Sequence, residues 1–209
     1  MSRGKGIFIT FEGAEGSGKS TQIKRAAAYL RRKGFNVLVL REPGGTRIGE
    51  AIRKIILNPA HREMFSETEL LLYLAARAQI VREKIRPALS KGRVVICDRF
   101  EDSTLAYQGF GRGLSLKTIE RVSRELVREK NLPDLTFILD LSPRRGMRRG
   151  GRRDRIEKAS FRFHEKVRRG FLTLARKDPK RYRALDGAAS IEFVAKKIRT
   201  VLDDFFRAR

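Results

Sequence analysis

The chain has 209 residues, 41% of them hydrophobic, a single cysteine and a formal net charge of +24. That length suits one α/β domain over 1–209, able to bury roughly 70% of its unfolded surface, and the lone cysteine excludes an internal disulfide framework. No apolar run approaches a membrane span or shows a signal-peptide layout, so a cytoplasmic setting is expected, and so basic a chain should attract polyanions such as nucleic acid, anionic lipid or nucleotides.

Ile7–Phe11 is nearly all apolar, the pattern of a strand buried on both faces of a parallel sheet. It leads into Gly13-Ala14-Glu15-Gly16-Ser17-Gly18-Lys19-Ser20, which fits G-x-x-x-x-G-K-[ST]. In that pattern, glycines let backbone N–H groups turn inward around a phosphate at the positive end of the following helix. Lys19 then reaches the β- and γ-phosphates of a nucleotide such as ATP, and the Ser20 hydroxyl ligates Mg²⁺. The motif needs a strand before it and a helix after it; Ile23, Ala26, Ala27 and Leu30 supply the helix, closed by Arg31-Arg32-Lys33-Gly34. Val37–Leu40 predicts a second buried strand and completes a βαβ unit, whose sites open at the strands' carboxyl ends.

From Thr46 a short helix carries Ile48, Ile52, Ile55 and Ile56 on one face and stops at Asn58-Pro59. Ser66-Glu67-Thr68-Glu69 predicts a capping box that opens a longer helix; Arg86-Pro87 kinks or restarts it and Ser90-Lys91-Gly92 ends it. A third strand, Val94–Cys97, delivers Asp98-Arg99-Phe100 at its carboxyl end, where a P-loop protein places the carboxylate that orders Mg²⁺. Cys97 itself reads as a small core residue. Gly109–Gly113 reads as loop, Ser115 as the cap of a helix broken at Asn131–Asp134, and Leu135–Leu141 as the fourth strand. Ser142-Pro143 opens another helix. Two helices, Phe161 to about Arg176 and Ile191 to about Phe206, flank Tyr182–Gly187, the expected fifth strand.

Residues 141–209 hold 22 lysines and arginines against 8 acids, which locates more than half of the net charge. Within them, 144–155 carry seven arginines and one acid, and Gly146, Gly150 and Gly151 interrupt the cluster as in a segment built to move. Most of the remaining charge reads as a solvated surface.

Phosphoryl transfer to another phosphate needs no general base, because the acceptor oxygen is already largely ionised near neutral pH. His61 and His164 accordingly read as surface residues. The reaction needs two charged nucleotides held in line and cations aimed at the transition state, which mobile arginines supply. Arg41 and Arg99 both stand at predicted strand ends and could converge on one phosphate; structural ion pairing is the alternative for each. Tyr73 and Arg77, four apart on one helix, could sandwich a base, although on spacing alone Tyr73 reads as core.

Five motifs then occur in order: Phe11-Glu12-Gly13-Ala14-Glu15-Gly16-Ser17-Gly18-Lys19-Ser20-Thr21, Arg41-Glu42-Pro43-Gly44-Gly45-Thr46, Leu70-Leu71-Leu72-Tyr73, Asp98-Arg99-Phe100 and Ser103-Thr104-Leu105-Ala106-Tyr107-Gln108-Gly109. Together they resemble the signatures of the thymidylate kinase family along essentially the whole chain. The resemblance implies a P-loop kinase fold with a five-stranded parallel sheet, helices on both faces and an arginine-rich lid over about 142–157. It implies the reaction ATP + dTMP → ADP + dTDP with Mg²⁺, the nucleotide donor being held by the loop from Gly13 to Thr21. Arg41 and Arg99 would clamp the dTMP phosphate, Tyr73 stack on thymine, Arg77 and Thr104 contact the base, and Tyr107 crowd the 2′ position. Glu15 would lie near the 3′-hydroxyl, Gln108 among the substrate contacts, and Asp98 beside Mg²⁺ or its waters.

In this family the transition-state cation comes either from the P-loop or from lid arginines. Ala14-Glu15-Gly16-Ser17 has no basic residue, whereas Arg144, Arg145, Arg148, Arg149, Arg152, Arg153 and Arg155 crowd the lid, so the chain resembles the lid-arginine type. Arg149 or Arg153 is the expected catalytic arginine, alongside Lys19, Arg99 and Asp98, with Asp154-Arg155-Ile156-Glu157 closing the lid. The resemblance also implies a cis Glu42-Pro43 bond and a homodimer joined through the helix at about 67–84. Two other readings stay open: a kinase for another nucleoside monophosphate, and a basic P-loop ATPase that binds nucleic acid, although no recognised nucleic-acid-binding motif accompanies the charge.

Overall fold

The computed structural model describes residues 6–128, 131–149 and 154–208. Among them, β1 (Ile7–Glu12), β2 (Val37–Arg41), β3 (Val94–Asp98), β4 (Leu135–Asp140) and β5 (Tyr182–Asp186) form one parallel sheet in the order β2-β3-β1-β4-β5. The connecting helices are α1 (Lys19–Arg32), α2 (Arg47–Leu57), α3 (Ser66–Ile80), α4 (Arg86–Ser90), α5 (Glu101–Thr104), α6 (Leu116–Val122), α7 (Pro143–Arg149), α8 (Phe161–Lys177) and α9 (Ile191–Arg207).

Alternation along β1 divides the core. Ile9 and Phe11 face α1 and α9, packing with Ile23, Leu30, Ile198 and Leu202, while Phe8 faces Ile80, Val81, Ile85 and Phe100 on the other side. Thr10 is a buried polar residue in the middle of the central strand. Its hydroxyl is hydrogen-bonded to that of Thr136 on β4 at 2.8 Å, and both residues are fully buried. Either hydroxyl left alone would cost about 1–3 kcal/mol, so each satisfies the other.

The register fixes what the sheet presents at its carboxyl edge. Phe11 of β1 and Arg41 of β2 both pair with Asp98 of β3, so three strand ends stand side by side over the phosphate-binding loop. This is the crevice where open α/β sheets bind ligands.

Several local expectations are corrected. β2 is an edge strand and only partly buried, with Val39 38% exposed, because among the described residues no strand lies beyond it. At Ser66 the helix begins as expected, but no side chain caps it; Phe65 takes the N-cap position and Glu69 turns inward instead. α3 then continues through a wider turn at Val81–Ile85 into α4, whose first residues include Pro87, so the proline restarts the helix. The stretch expected as loop is largely helical: Leu105–Gly111 extends α5, because Leu105, Ala106 and Tyr107 bury against α8 and tertiary packing outweighs the glycines. Gly146 does not break its helix but sits within α7, and Gly150 and Gly151 lie outside the described residues. The Glu42–Pro43 bond is cis.

Candidate active site

A cavity of about 500 Å³ opens over the carboxyl edge of β1, β2 and β3. Its walls include the loop from Glu15 to Thr21 together with Arg41, Tyr73, Arg77, Asp98, Arg99, Thr104, Tyr107, Gln108 and Arg149. The structure thus brings together nearly every residue that the motifs nominated. Gly13 and Ala14 stand behind the wall, where their carbonyls accept from Lys19 Nζ at 3.1 and 2.9 Å. Burial, and then the charge of Arg99, push the Lys19 ammonium down to about 8.

Ser20 Oγ and Asp98 Oδ2 face one another at 3.4 Å beside this loop. Arg99 sits beyond, its Nη1 donating to the Gly13 carbonyl at 3.0 Å and its Nη2 to Glu15 Oε2 at 3.3 Å. Burial alone would raise the Glu15 carboxyl, but Arg99 and then Lys19 outweigh it and hold the group below its usual range. The guanidinium of Arg99 also lies over the Tyr107 ring, 5.2 Å from its centroid.

At the opposite wall, Arg77 is 1% exposed and its Nε donates to Glu42 Oε2 at 2.7 Å. Both Arg77 and Thr104 line the cavity, and Arg77 Nη1 and the Thr104 hydroxyl are buried with no hydrogen-bond partner among the described residues. Tyr73 is half-buried beside them, so the core reading from spacing gives way to a wall position. Arg41 is held by Glu50, its Nη2 lying 2.9 Å from both carboxylate oxygens, so the ion-pair alternative is realised while the residue still lines the cavity.

The arginine-rich segment approaches from β4. Gly146 and Gly16 touch: a Cβ on Gly146 would stand 2.5 Å from the Glu15 carbonyl oxygen, and one on Gly16, whose φ is +69°, would stand 2.7 Å from the Gly146 carbonyl oxygen. Glycine at both positions lets α7 lie on the phosphate loop. Arg149 Nη1 then donates to the Gly16 and Gly187 carbonyls at 3.4 and 3.2 Å, at the cavity wall. Arg153 lies outside the described residues. Arg155 is not a free cation: its Nε donates to the Ile56 carbonyl at 2.7 Å and its Nη2 to Glu69 Oε2 at 2.6 Å.

Four residues that matter here were given no part in the site by sequence reasoning. Arg53 lines the cavity beside Arg41 and donates to the Pro43 carbonyl at 2.9 Å; burial and the Arg41 charge lower its pKa. Glu69 is 1% exposed and gathers Gln108, Arg112 and Arg155, tying α3 to the end of the arginine-rich segment. Glu12, fully buried, accepts from the residues after Arg99. His164, expected at the surface, is 7% exposed at the cavity, and burial lowers its pKa. Glu12 stood inside the first motif, but its partners Phe100 and Ser103, like the Arg112 and Arg155 partners of Glu69, lie far away in the chain.

A loop shaped for phosphates at one side of a single cavity lined with cations suits transfer between two nucleotides, and it places the chain among the P-loop nucleoside monophosphate kinases. Comparison with known proteins narrows this. The sequence profile of thymidylate kinase matches residues 11–198. Thymidylate kinase of Geobacter sulfurreducens is 50% identical over 206 residues, covering 94% of this chain and 96% of the relative. That of Thermoanaerobacter sp. is 45% identical over 203 residues, covering 96% and 99%. The crystal structure of thymidylate kinase from Ehrlichia chaffeensis superposes with a TM-score of 0.78 at 35% identity, over 95% of this chain and 99% of that one. The chain belongs to the thymidylate kinase family.

The Glu69 cluster gives a stability prediction. Burial works against its ionisation, but hydrogen bonds from Arg112 and then Gln108 hold the carboxyl below its ordinary 4.5. Breaking such a buried pair by Glu69→Gln should cost about 3 kcal/mol at neutral pH, or roughly 6–12 °C in Tm. A carboxyl depressed in the folded state stabilises above its unfolded pKa and loses that contribution as pH falls through the folded one. Thermal melts in successively more acidic buffers should therefore show wild type and variant converging; a gap that stays constant into strong acid contradicts the assignment.

Proposed function

We propose that the chain transfers the γ-phosphoryl group of ATP to dTMP, giving dTDP and ADP for dTTP synthesis. The observation that carries this reading is a pair of buried atoms, Arg77 Nη1 and Thr104 Oγ1, which belong to two residues of the cavity wall and have no hydrogen-bond partner among the described residues. Each costs about 1–3 kcal/mol unless a ligand meets it. A thymine base supplies both needs, with a carbonyl oxygen for the guanidinium and an N–H for the hydroxyl. Tyr73 would stack on the ring, Tyr107 would crowd a 2′-hydroxyl, Glu15 would accept from the 3′-hydroxyl, and Gln108 would complete the wall.

At the other end Arg99, with Arg41 and Arg53, would hold the acceptor phosphate, whose ionised oxygen attacks without a base. The loop from Gly13 to Thr21 would wrap the ATP phosphates, Lys19 leaving the loop carbonyls for them. Ser20 and Asp98 offer two hard oxygens, which suits Mg²⁺, an ion that takes its remaining ligands from phosphates and water. When bound, Mg²⁺ would neutralise phosphate charge. Arg149, already against the phosphate loop, would supply the transition-state cation, and Arg153 remains the alternative.

The partner in this reading is a second copy of the chain. Ile48 and Ile55 of α2 and Phe65 and Leu71 at the start of α3 are 48, 43, 77 and 61% exposed on two helices that pack together, apolar surface that a second copy would cover. No described helix is long and apolar enough to cross a membrane. A cytoplasmic setting goes with this reading and with the free, buried Cys97.

ADP release in a coupled assay should require both dTMP and Mg²⁺. dUMP, lacking one methyl, should be a poorer acceptor by about tenfold or more in kcat/KM, and AMP and CMP poorer still. Equal rates with AMP, CMP or no acceptor would defeat the assignment. Sedimentation velocity at micromolar concentration should show a dimer, and a monomer there would remove the partner proposed.

A further inference from the structure

Glu12 ends β1 and is fully buried, yet it is absent from the cavity lining. Both of its carboxyl oxygens are taken by the segment that follows β3. The Phe100 N–H donates to Oε1 at 2.7 Å and the Ser103 hydroxyl to Oε2 at 2.5 Å. Ser103 Oγ in turn accepts from Arg99 Nη1 at 3.2 Å, and the same Nη1 donates to the Gly13 carbonyl one residue beyond Glu12.

Arg99 is the one non-glycine residue with positive φ among those described, at +70°. An L-residue stays in that conformation only when its surroundings hold it. The Arg99 N–H is fixed on one side by the Phe11 carbonyl at 2.9 Å, and the next N–H is fixed on the other by Glu12. Consecutive residues of β1 therefore grip consecutive residues of the turn. Strand stability gives no reason for a carboxyl here, because an apolar side chain would bury at less cost.

We propose that Glu12 is a positioning residue for phosphoryl transfer: through Phe100 and Ser103 it sets the Arg99 guanidinium against the phosphate loop, and so sets the separation of the acceptor phosphate from the γ-phosphate. The inference rests on Arg99 holding the acceptor phosphate. Ionised, Glu12 accepts both hydrogen bonds; protonated, it keeps the Phe100 bond and donates to Ser103 in place of accepting. Shape and hydrogen bonding, more than charge, carry the role. An in-line reaction is sensitive to displacements of an ångström, which makes such a brace kinetically visible.

The test is steady-state kinetics with ATP and dTMP on purified full-length variants, with ATP affinity measured separately by equilibrium dialysis and folding by thermal melts. Glu12→Ala should lower kcat by about ten- to a hundredfold and raise KM for dTMP, with ATP affinity changed by less than about threefold. Glu12→Gln, which can make the same two contacts, should recover most of both losses. Ser103→Ala, which cuts only the side-chain link, should raise KM for dTMP more than it lowers kcat. In Arg99→Ala the further change Glu12→Ala should add little, because the two act as a unit. Unaltered dTMP kinetics in Glu12→Ala, a Gln variant as impaired as the Ala variant, or ATP affinity lost in step with dTMP would each overturn the proposal. If Glu12→Ala does not fold, an unchanged KM for dTMP in Ser103→Ala overturns it. Arg99→Ala with an unchanged KM for dTMP would overturn the acceptor-phosphate reading instead, which keeps the two failures distinct.

Discussion

Like charges crowded into one cavity are the constraint this structure is arranged around. Lys19, Arg53, Arg77, Arg99 and Arg149 all reach a space of about 500 Å³, and in partly desolvated surroundings such groups repel strongly. Burial and then the Arg99 charge depress the Lys19 ammonium, so repulsion adds to desolvation there. The fold makes it tolerable by standing carboxylates behind the cations: Glu15 at Arg99, Glu50 at Arg41 and Glu42 at Arg77. Two nucleotides would bring the missing negative charge in their phosphates, so ligand binding and stability are coupled through the same groups.

The parallel sheet is what lets so many charges meet without being neighbours in sequence. Registration of Phe11, Asp98 and Arg41 across three strands converts separate motif residues into one rim. Glu12 and the left-handed turn at Arg99 finish that rim, joining the end of β1 and the phosphate loop to the turn after β3 by hydrogen bonds of 2.5–3.2 Å. Close packing of Gly146 on Gly16 brings α7 and Arg149 down onto the same loop. Part of the net charge of +24 therefore points inward and has work within the molecule, and it needs no nucleic acid to explain it.

Much of this was readable from the chain because strand, glycine-rich turn and helix are local signals. The phosphate loop, the strand ends at Arg41 and Asp98, the Ser115 cap and the opening of α7 at Pro143 all follow from short-range chemistry. What was missed is non-local. Val39 is half-exposed because of strand order, which no single strand encodes. Glu69 looked like a helix cap and is the anchor for arginines 43 and 86 residues away. His164 sits in a polar stretch of sequence, and only the packing of α8 under the cavity buries it. For Arg77 and Thr104 the expectation of base contacts came from resemblance alone, and a buried Nη1 and Oγ1 without a partner among the described residues are consistent with it.

The account comes down to cations converging on a phosphate in flight between two nucleotides. A crystal structure with dTMP and a non-hydrolysable ATP analogue bound together tests that directly. It should show Arg99 on the acceptor phosphate, Lys19 released from the Gly13 and Ala14 carbonyls onto the donor phosphates, and an arginine from 144–155 directed at the γ-phosphate. Guanidinium groups of that segment turned away from the γ-phosphate, with no other cation in their place, would contradict it.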